Sequence, residues 1–190
     1  MPSAMIHCLV ARYAYPSRGP LLYIGNLALD AMHYPAKERL HLRLCDDRSM
    51  ALTQRARSTD PGDDFAEGVL LHLYTDWLWD TTHLQEYRDK ADPDDTNWFR
   101  RYQHETGLAS VHLYHSHGWA PLLWESMLAV PICDYSALKD IAPESITNYL
   151  LHNSRQLAGS KGLPSEVYPP ALAEGFAKEA AAKYLGWRDL

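Results

Sequence analysis

Five residues within the first 76 positions, His7, Asp30, His41, His72 and Asp76, carry the donor types of a metal centre, three imidazoles and two carboxylates. The anchor is the pair His72 and Asp76, an HxxxD spacing inside a segment whose apolar periodicity predicts a helix. Four residues make about one helical turn, so both side chains leave the same face with Cβ atoms roughly 6 Å apart. An imidazole and a carboxylate so placed can share one zinc-sized ion, or serve two ions where the carboxylate bridges. A lone HxxxD more often marks a His–Asp hydrogen bond on a helix surface. A lone His7 or His41 is more often an apolar-face histidine satisfied by a backbone carbonyl. The set as a whole is what turns the reading toward metal.

Three stretches extend the pattern. The first is the opening Met1-Pro-Ser-Ala-Met-Ile-His7. The second runs Tyr23-Ile-Gly-Asn-Leu-Ala-Leu-Asp30-Ala and continues to His41-Leu-Arg43. The third is Asp64-Phe-Ala-Glu-Gly68-Val-Leu-Leu-His72-Leu-Tyr-Thr-Asp76-Trp-Leu-Trp79. Together they resemble the zinc-dependent phospholipase C family, which belongs with the P1-type nucleases, over roughly the first 80 residues. The resemblance implies an all-α bundle, zinc as cofactor (one or two ions), ligand roles for His7, Asp30, His41, His72 and Asp76, and hydrolysis of a small phosphate ester. The family carries a further HxxxE pair, and no histidine here is followed by Glu at that spacing. His112, His115, His117 and Glu125 could form an altered site or an exposed histidine cluster, and both readings stay open.

As chemistry, Asp30, His41, His72 and Asp76 offer one ion the nitrogen and oxygen donors that zinc takes, and His7 with the other Asp76 oxygen could begin a second site. Two carboxylates against two divalent cations leave a net charge of about +2, suited to a phosphate ester; such a pair activates water and steadies a leaving oxygen. Asp30 is also a candidate to orient or deprotonate the water. Two other functions compete. One is a non-catalytic metal-binding or interaction protein with a degenerate phospholipase C-like site, which the missing HxxxE favours. The other is a helical hydrolase of the HD type, weakened because the chain has no His-Asp dipeptide.

These residues need helices to hold them. Ser3 can cap a first helix of about ten residues containing His7. Gly25-Asn26 reads as a break before Asp30, leaving a loop or short helix, and Pro35 suits the start of a helix around His41. Arg48 to Ser58 reads as a polar helix or a connection. Asp63 or Asp64 caps the central helix, in which Phe65, Val69, Leu73 and Trp77 advance by four. Of Trp77 and Trp79, one should be core and the other nearer the site. Asp92-Pro93 reads as the start of the next helix, followed by helices at 122–130, 143–157 and 170–187 with a loop over 158–169. The expectation is an all-α, single-domain bundle spanning 1–190, of about six to eight helices.

The chain is 46% hydrophobic and 22% charged, ordinary for a soluble protein, and its net charge of -6 argues against binding a nucleic-acid backbone. Cys8, Cys45 and Cys133 are an odd set without CxxC spacing, which fits a reducing compartment, and Cys8 reads as a buried thiol. No basic segment followed by an apolar one opens the sequence, and no apolar run approaches the ~18 residues of a membrane span. A cytoplasmic location is the expectation. The oligomeric state is not legible.

Overall fold

The helix signals of the sequence become, in a computed structural model that describes residues 2–131 and 138–189, an all-helical chain. Cys133 lies outside the described residues. The first half contains α1 (Ala4–Ala14), α2 (Pro20–Ala28), α3 (Ala36–Leu40), α4 (Arg48–Ser58) and α5 (Asp64–Trp79). The second contains α6 (Gln85–Lys90), α7 (Trp98–Ser116), α8 (Trp119–Leu128), α9 (Pro143–Gly159) and α10 (Pro170–Arg188). Among the described residues there is no strand, and no helix is long and apolar enough to cross a membrane.

The central element is α5. Asp63 starts it by accepting a hydrogen bond from the Ala66 amide at 3.1 Å, and every residue from Phe65 to Asp76 is buried. Such a helix must be surrounded, and α2 crosses it most intimately. A Cβ on Gly25 would stand 2.1 Å from the Phe65 carbonyl oxygen, and one on Gly68 would stand 2.1 Å from the Leu22 carbonyl oxygen. Glycine at both positions lets the two backbones touch. On another side α10 packs on α1 and α5, while α7, α8 and α9 complete the enclosure.

A buried acid on α5 illustrates how polar groups are tolerated inside this bundle. Glu67 accepts hydrogen bonds from the hydroxyls of Tyr15 at 2.6 Å and Tyr184 at 2.5 Å, and from Arg188 Nε at 3.2 Å. Arg188 also donates to the carbonyls of Ala56 and Thr59, so the end of α10 is tied to α4 and α5. With its oxygens so engaged, the desolvated carboxylate is compensated.

Several elements differ from expectation. Gly25-Asn26 does not break the chain: α2 runs through both to Ala28, because close packing on α5, rather than a turn, is what requires Gly25. Asp92-Pro93 does not open a helix. The Asp92 and Asp95 side chains accept from the amides of Asp94 and Asn97, holding local turns, and α7 starts at Trp98. Ser3 does precede α1, yet its hydroxyl makes no capping bond. Beyond Trp79 the helical path continues through a π-turn (Asp80–Leu84) into α6, a segment with no clear sequence signal. Trp79 is the core tryptophan, donating to the Tyr102 hydroxyl at 2.7 Å, and Trp77 is only partly buried.

Candidate metal centre

Five separate backbone positions bring the expected ligands together. His7 lies within α1, Asp30 in the 3-10 turn (Leu29–Ala31) after α2, His41 at the C-terminal cap of α3, and His72 and Asp76 one turn apart on α5. His7, His41, His72 and Asp76 are fully buried. The Asp30 side chain is 6% exposed, so this ligand alone reaches outward. The turn presenting His41 is held by two bonds, from the Leu42 amide to the Arg39 carbonyl and from the Arg43 amide to the Glu38 carbonyl. These form a Schellman ending with leucine, at φ 58°, where glycine is usual.

The hydrogen bonds of two imidazoles decide what the cluster needs. His72 Nδ1 lies 2.7 Å from the Asn26 carbonyl oxygen, and His41 Nδ1 lies 2.7 Å from the Lys37 carbonyl oxygen. A carbonyl only accepts, so each Nδ1 carries the proton and each neutral ring keeps a bare lone pair on Nε2. Those two Nε2 atoms face each other at 3.0 Å. Two lone pairs at that distance repel unless a cation or a proton sits between them. Backbone carbonyls that fix the tautomer of a buried histidine are the usual outer partners of metal-ligating imidazoles.

The carboxylates converge on the same point. Asp76 Oδ1 is 3.3 Å from His7 Nε2, and Asp76 Oδ2 is 3.6 Å from His41 Nε2 and 3.7 Å from His72 Nε2. Asp30 Oδ1 is 3.5 Å from His41 Nε2. Neither oxygen of Asp76, neither ring nitrogen of His7, nor Asp30 Oδ1 makes an aligned hydrogen bond, although all are buried. The His7 ring stacks on His72 with centroids 4.2 Å apart. Burial and the neighbouring His7 charge push the His72 imidazolium down to about 3, leaving the ring neutral. Burial would raise the carboxyl of Asp30, but the contact with His41 and the Lys37 ammonium beside it hold it well below the usual carboxylate range. Asp76 is lowered in the same way, its burial outweighed by His72 and His7.

A divalent cation fits this arrangement. Donors about 2.0–2.2 Å from a tetrahedral ion are themselves roughly 3.4 Å apart, which is the spacing of these contacts. The facing Nε2 lone pairs of His41 and His72 and the Asp76 oxygens beside them concentrate acceptor atoms in a buried space, which a bound cation would compensate. Two triads have ligand atoms within 4.8 Å of one another, His41–His72–Asp76 and His7–Asp30–His72. Both need His72, whose one free nitrogen can serve one ion, so the two triads are alternatives that share it. A second ion would have to rest on His7 Nε2 and Asp76 Oδ1. No family model, curated protein or solved structure matches this chain.

Beside the buried ligands opens a cleft of about 520 Å³ between α7 and α9, lined where it meets them by Asp30, Lys37, Arg43 and Tyr149. Lys37 Nζ lies 2.7 Å from Asp30 Oδ1, and the Tyr149 hydroxyl donates to Asp30 Oδ2 at 3.5 Å. Burial and the Asp30 charge raise the Tyr149 phenol well above its ordinary value, so it remains a donor. Arg43 bonds Asp80 at 2.9 Å and Glu38 at 3.3 Å and stands 3.7 Å from Asp76. Farther along, Phe99 and Leu163 give the cleft exposed apolar walls.

Sequence reasoning missed Asn26, Lys37 and Tyr149. Asn26 does double duty, its carbonyl holding His72 and its side-chain amide donating to the His7 carbonyl at 2.8 Å. Lys37 stands four residues before His41, the same spacing that singled out His72 and Asp76, and that was the available signal. The later histidines do not join the cluster. His112 contacts the Gly162 carbonyl, His115 the Leu157 carbonyl, and His117 the Glu174 carboxylate at 2.7 Å.

Proposed function

We propose that this chain is a metal-dependent hydrolase of phosphoric esters, with zinc as its ion and a fold of the phospholipase C/P1 nuclease type. The observation that carries the metal reading is the pair of His41 and His72 Nε2 lone pairs at 3.0 Å, their Nδ1 protons already committed to carbonyls. His41, His72, Asp76 and Asp30 would hold the ion, with His7 at its edge. A divalent ion there supplies Lewis acidity toward a phosphoryl oxygen and lowers the pKa of a water molecule. The remaining work falls to side chains. Asp30 faces both the buried ligands and the cleft, and its lowered pKa suits it to orient water more than to deprotonate it. Tyr149 fixes the Asp30 carboxylate by donating to its other oxygen. Lys37 and Arg43 make the inner end of the cleft cationic, which favours an anionic ester, and the apolar walls beyond accommodate the esterified organic group.

A second reading is a structural or sensing metal site without catalysis. Its support is the full burial of His7, His41, His72 and Asp76, since structural zinc sites are closed and catalytic ones keep an open position. Activity separates the two. Metal-free protein given zinc is expected to hydrolyse bis(p-nitrophenyl) phosphate, slowly to moderately, with the free chelated protein inert. If fully metallated protein turns over neither this diester nor p-nitrophenyl phosphate from about pH 5 to about pH 9, the non-catalytic reading replaces the hydrolase.

A further inference from the structure

Lys37 occupies an unusual place. Its carbonyl is fixed in the site, accepting from His41 Nδ1, while its side chain runs to the mouth of the cleft. There the ammonium sits 2.7 Å from Asp30 Oδ1, an oxygen that also lies 3.5 Å from His41 Nε2 and belongs to a candidate ligand. Arg43, the other cation at this end, is held by Asp80 and Glu38. Lys37 is paired with Asp30 alone among the described residues, and its side chain is 24% exposed, so it has somewhere to go. A divalent cation that takes the Asp30 oxygen removes that partner and repels the ammonium. The flexible four-carbon stem then carries a point charge into a cleft that already opens onto Asp30.

We propose that Lys37 is a displaceable counter-ion: it neutralises Asp30 while no metal is bound, and once a divalent ion takes Asp30 it becomes the residue that binds the phosphoryl oxygens of a ligand in the cleft. This rests on the metal-site reading above and adds to it an anion-binding residue coupled to metal loading. Binding of metal and of phosphate therefore reinforce each other, because the first releases the group that holds the second.

Cobalt(II), followed by its visible absorption, and phosphate test this without any turnover. Titrating metal-free protein, Lys37→Met is expected to bind Co²⁺ about tenfold more tightly than wild type, since a competing charge has gone. On Co²⁺-loaded protein the same variant is expected to bind both inorganic phosphate and phenyl phosphate about tenfold more weakly, and Lys37→Arg to restore both affinities to within about threefold. Equal Co²⁺ affinity in wild type and Lys37→Met overturns the proposal and leaves the metal site standing. So does unchanged phosphate affinity, or a loss confined to phenyl phosphate, which would place Lys37 against the organic group. Absence of Co²⁺ uptake by the folded wild type overturns the metal reading and this proposal together. Lys37→Arg keeps a cation at the position, so it remains informative if Lys37→Met is unstable.

Discussion

At Asp30 a single carboxylate is shared among His41, Lys37 and Tyr149, and it is the one candidate ligand in contact with the cleft. Asp30→Asn keeps its shape while removing the charge. Its expected effect is a fall in phosphoester turnover of about tenfold or more, with a smaller loss of folding stability, because the lost charge is paired with Lys37 and held ionised by its neighbours. Parallel kinetics and urea unfolding check this, and a large loss of stability with unchanged turnover would make Asp30 a structural residue. At this scale the sequence was informative about donor types: His7, Asp30, His41, His72 and Asp76 do converge. It could not give their protonation, because the carbonyls that fix the tautomers of His72 and His41 belong to Asn26 and Lys37, whose side-chain identities do not announce the role.

At the scale of elements, the crossing of α2 and α5 shapes the candidate metal centre, since it brings the Asn26 carbonyl against His72. Gly68→Ala would drive a methyl group into the Leu22 carbonyl oxygen, 2.1 Å away, with the Asn26 amide nitrogen at 2.8 Å. Neither is the tip of a movable side chain, so destabilisation of about 3 kcal/mol is expected. Gly175→Ala at an exposed position of α10, where a Cβ meets nothing within 4 Å, is expected to stabilise by about 0.5–1 kcal/mol. Denaturant unfolding of both variants checks the contrast, and equal effects would show that the α2–α5 contact tolerates more space than its geometry allows. The same crossing explains which helices were legible. The period of four from Phe65 to Trp77 survives burial and could be read directly. Gly25-Asn26 reads locally as a break, and only the backbone of a helix 40 residues away, at Phe65, reveals it as a contact. Asp92-Pro93 carries a helix-start signature, but the side chains of Asp92 and Asp95 are used in turns.

Over the whole molecule, buried titratable groups make stability depend on acidity. The folded pKa of His72 is depressed from 6.5 to about 3, so an unfolded chain takes up a proton there that the folded metal-free chain refuses. Stability from this group is complete above pH 6.5 and declines as pH falls toward 3. Asp30 and Asp76, both lowered below 3.8, lose theirs in more acid solution still, with the same sign. Metal-free protein should therefore unfold at a lower urea concentration at pH 5 than at pH 7.5, and an equal or higher midpoint would mean that His72 is not held neutral. The cleft was invisible in the sequence for a related reason of scale: most of its walls come from α7, α9 and the segment after α9, distant in sequence from the ligands and without a motif of their own. The proposed binding of a divalent ion by His41, His72, Asp76 and Asp30 underlies all of this. Elemental analysis of protein purified without chelators, beside His72→Ala, Asp76→Ala and the distant His83→Ala, addresses it directly. The expected result is about one divalent ion per chain in wild type and in His83→Ala and none in the two ligand variants; no ion in folded wild type, or wild-type content in both ligand variants, would contradict it.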